Sequence, residues 1–188
     1  VQPKREGYTF EGWSGTDIKE KDTQVTVTAR PLKDRTYTAN WKENSYTIVF
    51  NVEGEVTRGE MKNIPLRYTQ ETTIPENGYV CGGYKFVGWR TGGKKSEQKV
   101  YQPGDKVSRL CATNNGTVNL YPIWEPCEYT ITFDYQTGNK REKVTCKYKE
   151  TYTFPTVNRL GWTFEGWSRS AGSTNVISYA PNVKTAVF

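Results

Sequence analysis

Four cysteines and no histidine limit the chemistry this chain could do on its own. Without histidine there is no Ser–His or Cys–His nucleophile pair, and the commonest metal ligand is missing. The cysteines stand at 81, 111, 127 and 146, and none forms a CxxC pair, so their spacing does not suggest zinc. Carboxylates are scattered through strand exteriors and turns, with no spacing that pairs two of them for acid–base work on a sugar. No Gly-rich phosphate loop precedes a helix. These residues predict no catalytic site, no metal and no cofactor.

The cysteines have two readings. In one they form disulfides. If 134–139 is a hairpin turn, Phe133 faces Lys140, Tyr129 faces Val144 and Cys127 faces Cys146. A non-hydrogen-bonded antiparallel pair brings such residues within disulfide reach. Cys81 and Cys111 then pair within their own copy. In the other reading all four are reduced and buried.

Binding is the other chemistry open to the chain. The basic tips Lys94-Lys95 and Lys140-Arg141-Glu142-Lys143 could attract an anionic polysaccharide or wall polymer. Tyr121, Tyr135 and Tyr152 lie off the inward register of their strands and are the candidates for an exposed sugar platform. Most other aromatics fall at inward positions. Trp13, Trp41, Trp89, Trp124 and Trp167 are therefore expected in the core.

What positions these residues is a phrase written three times. Gly7-Tyr8-Thr9-Phe10-Glu11-Gly12-Trp13 returns as Gly83-Tyr84-Lys85-Phe86-Val87-Gly88-Trp89 and as Gly161-Trp162-Thr163-Phe164-Glu165-Gly166-Trp167. Near-constant spacing marks a tandem array of one small domain. The phrase reads as a strand, and Gly before Trp suggests a bulge or a close neighbour, expected to be the indole itself.

The surrounding segments repeat as well. Tyr46, Ile48 and Phe50 share a face, as do Ile64, Leu66 and Tyr68, which predicts a hairpin. Tyr129, Ile131 and Phe133 with Val144, Cys146 and Tyr148 repeat it. Gln24–Thr28 alternates and reads as a further strand, Tyr101–Asp105 as a turn, and Leu120–Trp124 as a closing strand. The division is 1–43, a partial copy without its opening hairpin; 44–126, a complete copy; and 127–188, a partial copy without its closing strand. The chain opens at Val1 in mid-pattern, as a piece of a longer protein would.

Composition agrees with small β domains. Six Trp, 13 Tyr and 7 Phe against one Met supply the large side chains that a thin core needs. The net charge of +6 is spread: the three copies hold 8 basic and 7 acidic, 10 and 8, and 8 and 5 residues. That is a mixed solvated surface, and no nucleic-acid partner is expected. No apolar run is long enough to enter a membrane.

The strand Tyr129–Asp134, the phrase at 7–13, the Tyr101-Gln102-Pro103-Gly104-Asp105 turn and the closing strands ending in Trp41 and Trp124 resemble the Listeria–Bacteroides repeat, the InlB B-repeat-like family. The resemblance covers essentially the whole chain. It implies a mainly β chain of tandem small β-grasp-like repeats, ubiquitin- or SUMO-like, arranged as beads in a row. It implies an extracellular setting, secreted or anchored to the cell surface in adhesin-like proteins, with a protein or glycan partner and no shared catalytic residues. The expectation is a non-catalytic spacer and interaction module; a polysaccharide-binding module is the alternative. The insertion around Tyr79-Val80-Cys81-Gly82 and the cysteines depart from the pattern, and no segment reads as the β-grasp helix unless 71–78 or 91–99 replaces it.

Overall fold

A computed structural model describes residues 2–27, 33–138 and 140–171 and the backbone of Val176–Tyr179. The end of 127–188, where a closing strand was not expected, lies largely outside the described residues. The protein is mainly β, and the one helical turn described is a 3-10 turn at Lys95–Glu97. The chain forms two compact units, Val1–Gly82 with Phe86–Trp124 and Gly83–Lys85 with Glu125–Phe188.

The first unit begins with β1 (Tyr8–Gly15), β2 (Ile18–Asp22) and β3 (Tyr37–Glu43), a sheet in the order β2-β1-β3. Residues 24–27, expected as a strand, carry no strand pairing, and Thr28 lies outside the described residues. Beside β1 lie instead β2, which follows it across a tight turn, and β3. Val27 remains 55% exposed, so alternation at 24–28 did not mark a buried face.

The unit continues with β4 (Ser45–Phe50), β5 (Val56–Arg58), β6 (Ile64–Arg67), β7 (Thr72–Thr73), β8 (Val80–Cys81), β9 (Tyr84–Thr91), β10 (Val100–Tyr101), β11 (Lys106–Val107) and β12 (Gly116–Pro126), of which the first two residues of β9 and the last two of β12 belong to the second unit. Its main sheet runs β10-β9-β12-β4-β6. β4 and β6 form the hairpin read from the sequence, with Tyr46 opposite Leu66 and Ile48 opposite Ile64. β12 lies parallel to β4, from Gly116 opposite Tyr46 to Leu120 opposite Phe50. The crossover from β6 to β9 is extended rather than helical. It plugs the core with Ile74 and Tyr79, and the Tyr79 hydroxyl donates to the Phe50 carbonyl at 2.9 Å. The inserted residues around Cys81 are absorbed as β8, which pairs with β5.

The core closes around Trp89, which is fully buried. Phe50, Phe86 and Tyr79 meet its ring edge-to-face at 4.8, 5.1 and 6.2 Å. Phe86 and Trp89 are three residues apart, so a regular strand would send them to opposite faces. The glycine between them prevents that. In β1 the register slips between Phe10 and Gly12, so that Phe10 faces Trp41 while Gly12 faces Asn40. The bulge brings Phe10 and Trp13 together at 5.4 Å. Phe86–Trp89 at 5.1 Å and Phe164–Trp167 at 5.6 Å repeat the contact. Gly12, Gly88 and Gly166 carry φ of 129°, 151° and 144°. The close neighbour expected at this glycine is not the indole. A Cβ on Gly12 would stand 3.0 Å from the Asp22 backbone, and one on Gly88 would meet Gln102 at 2.8 Å and the Tyr101 carbonyl at 3.2 Å. The bulge turns the glycine toward the residues that continue from its hairpin partner.

The second unit holds β13 (Glu128–Asp134), β14 (Arg141–Lys147), β15 (Gly166–Ser168) and β16 (Val176–Tyr179), paired as β13-β14 and β15-β16. Phe133 is buried and meets Trp167 at 4.8 Å, the spacing of Phe50 and Trp89 in the first unit.

The Trp89 indole N–H is buried with no hydrogen-bond partner among the described residues. Leaving such a donor unpaired costs about 1–3 kcal/mol, which ring packing has to outweigh. Trp89→Ala is therefore expected to destabilise the first unit by about 3–5 kcal/mol in denaturant unfolding. Trp89→Phe should cost clearly less, because it removes the orphan donor and keeps a ring among Phe50, Phe86 and Tyr79. Equal losses would show that the cage does not depend on the ring.

Candidate functional site

Each residue singled out for chemistry has a structural setting. All four cysteines are free thiols. The β13-β14 register places Tyr129, not Cys127, opposite Cys146, and Phe133 opposite Glu142. The turn spans 135–140, so every facing pair shifts by two residues from the arrangement that would have joined Cys127 to Cys146. Cys127 instead exchanges a backbone bond with Tyr148, whose amide donates to its carbonyl at 2.8 Å. Cys81 is buried in β8, and Cys111 lies partly buried against the first unit's core, so these two are not joined either. Burial pushes the Cys146 thiol above its usual range, and Glu150 adds to the shift.

Tyr135 and Tyr152 do not stand apart as a platform. Tyr135 meets Trp167 edge-to-face at 5.4 Å, donates its hydroxyl to Glu142 at 2.5 Å and carries Lys140 over its ring at 4.6 Å. Tyr152 stacks on Phe133 with centroids 5.9 Å apart. Arg141 Nε donates to Asp134 at 3.0 Å. The second unit thus gathers Tyr135, Lys140 and Arg141 at one hairpin turn, with Arg141 paired to Asp134 and Lys140 lying over the Tyr135 ring. In the first unit Tyr121 lies under Arg90 at 5.2 Å, and Lys94 and Lys95 are exposed at the start of the 3-10 turn. Trp13, Trp41, Trp124 and Trp167 are partly buried. The Trp124 indole donates to the Glu53 carbonyl at 3.1 Å and the Trp167 indole to the Pro155 carbonyl at 2.8 Å.

The most elaborate polar arrangement lies elsewhere, at the joint after β3. Asn44 is the buried polar residue there, 7% exposed. Its backbone N–H donates to the Gly7 carbonyl at 2.9 Å, and its carbonyl accepts the Tyr68 N–H at 2.8 Å. Its side-chain oxygen accepts from Thr9 at 2.6 Å, and its side-chain nitrogen donates to the Ala112 carbonyl at 2.7 Å. One residue thus ties the first phrase to the β4-β6 hairpin.

The Tyr68 ring lies flat against Gly7, where a Cβ would come within 2.0 Å of it, and meets Tyr8 edge-to-face at 6.3 Å. Gly7 sits third in a turn closed by the Tyr8 N–H on the Arg5 carbonyl, with φ of 75°. Glycine fits there because only it takes that backbone without strain and leaves room for the ring. Glu43 adds an outer clasp. Its carboxylate accepts the Thr69 N–H at 2.7 Å and the Thr69 hydroxyl. The hydroxyl contact, then the amide, holds the carboxyl below its ordinary range.

The same arrangement recurs within the second unit. The Cys127 N–H donates to the Gly83 carbonyl at 2.8 Å, and the Cys127 carbonyl accepts the Tyr148 N–H. Tyr148 meets Tyr84 at 5.3 Å, and a Cβ on Gly83 would stand 2.5 Å from its ring. The sequence marks Glu43 and Asn44 only as the boundary between 1–43 and 44–126, and Tyr68 and Tyr148 only as hairpin-face residues. The signal that could have found the contact is that Asn44 and Cys127, and Tyr68 and Tyr148, recur at the same offsets as the hairpins around them.

Comparison with known proteins agrees with this repetition. A family model described as the Divergent InlB B-repeat domain matches residues 3–45. The Listeria-Bacteroides repeat domain model matches residues 46–121 and 129–187. The chain belongs to the Listeria–Bacteroides repeat family. A putative Gly-rich membrane protein of Evansella cellulosilytica is 26% identical over 87% of this chain and 19% of its own length. A putative membrane protein of the same organism is 26% identical over 96% of this chain and 26% of its own length. Internalin H of Listeria monocytogenes is 32% identical over 50% of this chain and 16% of its own length. The chain thus spans about a quarter or less of the curated relatives it matches. No solved structure matches it. Among the described residues no helix is long and apolar enough to cross a membrane.

Two measurements check the repeat's joint. Asn44→Ala strips partners from Thr9 and from the Ala112 carbonyl, and should cost the first unit about 1–3 kcal/mol. Lowering the pH tests Glu43. Its folded value lies below the 4.5 of a free glutamate, so its stabilising contribution is present above that value and is lost as the pH falls through the lowered one. An NMR titration should place the Glu43 midpoint below 4.5, and Glu43→Gln should flatten that part of the acid dependence. A midpoint at the free value would show that the Thr69 clasp is open in solution.

Proposed function

We propose that this chain is an extracellular repeat module of a surface protein, a non-catalytic spacer that also presents an interaction surface. The carrying observation is the joint at Asn44, where a single residue bonds to the copies on both sides of it. A joint that short and that fully bonded suits a spacer, since it leaves no linker to flex. Internalin H among the relatives supports a surface setting. We assign the copies to 1–43, 44–126 and 127–188, which the matches at 3–45, 46–121 and 129–187 support. The β10-β9-β12-β4-β6 order, with β12 parallel to β4 and β6 antiparallel to β4, supports a β-grasp-like copy in which an extended crossover replaces the helix. Trp13, Trp41, Trp89, Trp124 and Trp167 are read as core, and the Tyr135–Lys140–Arg141 turn as the surface available to a protein or glycan.

The test is an immobilised panel of glycans and wall polymers probed with the 188-residue chain. The spacer reading, with a protein at its interaction surface, expects specific binding to none of them. Saturable binding lost on Lys140→Glu with Arg141→Glu, and unchanged in the first unit's Lys94→Glu, would replace the spacer reading with the polysaccharide-binding one.

A further inference from the structure

The third phrase builds the same turn as the first and leaves it uncovered. The Trp162 N–H donates to the Arg159 carbonyl at 3.0 Å, as Tyr8 does to Arg5 at 3.1 Å. Gly161 has φ of 76°, against 75° for Gly7 and 78° for Gly83. Arg159 lies over the Trp162 ring at 4.6 Å, as Arg5 lies over Tyr8 at 3.9 Å. The backbone conformation, the aromatic after the glycine and the arginine on that aromatic are all in place.

What differs is the face of the glycine. Gly7 and Gly83 each press against a tyrosine ring, but a Cβ on Gly161 would meet nothing within 4 Å among the described residues. Trp162 is 68% exposed and Leu160 fully exposed. Leu160 stands where the first phrase has Glu6, so the uncovered turn is also the more apolar of the two. An exposed Leu and Trp flanking an open glycine form an apolar spot of the kind that marks an interaction site.

We propose that Leu160–Gly161–Trp162 is a docking socket for the hairpin tyrosine of a further repeat that follows in the same polypeptide. The occupant is specified by the two filled examples. Both are filled by a tyrosine two residues beyond the inward Leu66 or Cys146 of an opening hairpin, and both tyrosines bond to the joint residue that precedes that hairpin. In both the hairpin follows the phrase in the same chain. A second copy of this chain could not supply the ring without uncovering Gly7 or Gly83, because Tyr68 and Tyr148 are already engaged. The curated relatives, in which the shared stretch makes up 26% of the length or less, leave room for such a repeat. The proposal rests on the repeat-module reading and extends it to a specific acceptor.

The test lengthens the chain after Phe188 by a second copy of residues 111–188, which continues the repeat in register. The readout is the Trp162 indole N–H in an NMR spectrum, assigned with Trp162→Phe and exposed to a soluble paramagnetic chelate. Broadening of that signal is expected to fall several-fold in the lengthened chain. Tyr148→Ala made in the added copy alone should restore it. A Trp162 signal as accessible as before, beside an added hairpin whose amides are protected from exchange, overturns the proposal. An added hairpin that stays unfolded counts the same way, since residues 127–148 fold where Gly83 receives Tyr148. Protection of Trp162 in the original chain that grows with concentration would also overturn it, in favour of a second copy. Glycan binding on the panel neither causes nor prevents protection of Trp162, so the two results are read separately.

Discussion

The structure depends on the glycine one residue before each phrase tryptophan, which forms a bulge at Gly12 and carries a positive φ in all three phrases. A strand alternates its side chains, so a Phe and a Trp three residues apart belong on opposite faces. Inserting one extra residue at Gly12 puts them on the same face. The Phe–Trp edge-to-face pair then becomes available to the hairpin that packs over it. Phe50 reaches Trp89, and Phe133 reaches Trp167, at one distance. A copy this small buries little surface, and a pair of interlocked large rings gives it a centre. The bulge glycine is constrained twice, by its φ and by the chain that passes within 3.0 Å of where a Cβ would be.

The phrase has a second use at its other end. Its first glycine and the aromatic after it face the neighbouring hairpin, while its Phe and Trp face its own core. Seven residues therefore carry both the packing inside a copy and the contact to the next hairpin. In the first unit Asn44 connects the two uses. Its backbone bonds to Gly7 and Tyr68, and its side chain reaches Thr9 in the phrase and Ala112 before β12. The β4-β6 hairpin and the first phrase are thus held by one residue in that unit.

Much of this was legible in the sequence, and the rest was not for identifiable reasons. The hairpin faces came from alternation: Ile48 and Leu66 point inward because every second residue must. The repeated Gly-x-x-x-x-Gly-Trp pattern marked a bulge, but one chain's alternation cannot say which neighbour approaches the glycine. The cysteine pairing failed on a turn. Moving the turn from 134–139 to 135–140 shifts each facing pair by two residues, which keeps every side chain on its expected face and changes only its partner. Register is invisible to periodicity for that reason. The joint failed differently. Tyr68 and Tyr148 were correctly seen to share the hairpin's face, yet what meets them is a glycine, which carries no side chain for a pattern to find.

The cysteines fit best as substitutions within this scheme. Cys146 occupies the place of Leu66, opposite the first residue of the inward set of its hairpin, and is buried. A free cysteine behaves there as a small hydrophobe. Cys127 occupies the place of Asn44 and keeps both backbone bonds of the joint. Its side chain has no amide, so it cannot reproduce the contacts that Asn44 makes with Thr9 and Ala112. Lys85 stands where the phrase of the first copy has Thr9, so the partner for such an amide is absent as well. The two changes match: a joint that loses its side-chain network loses the residue at each end of it. What persists is the glycine, the tyrosine and two backbone hydrogen bonds, which is the minimum the contact requires and the part that Gly161 holds ready.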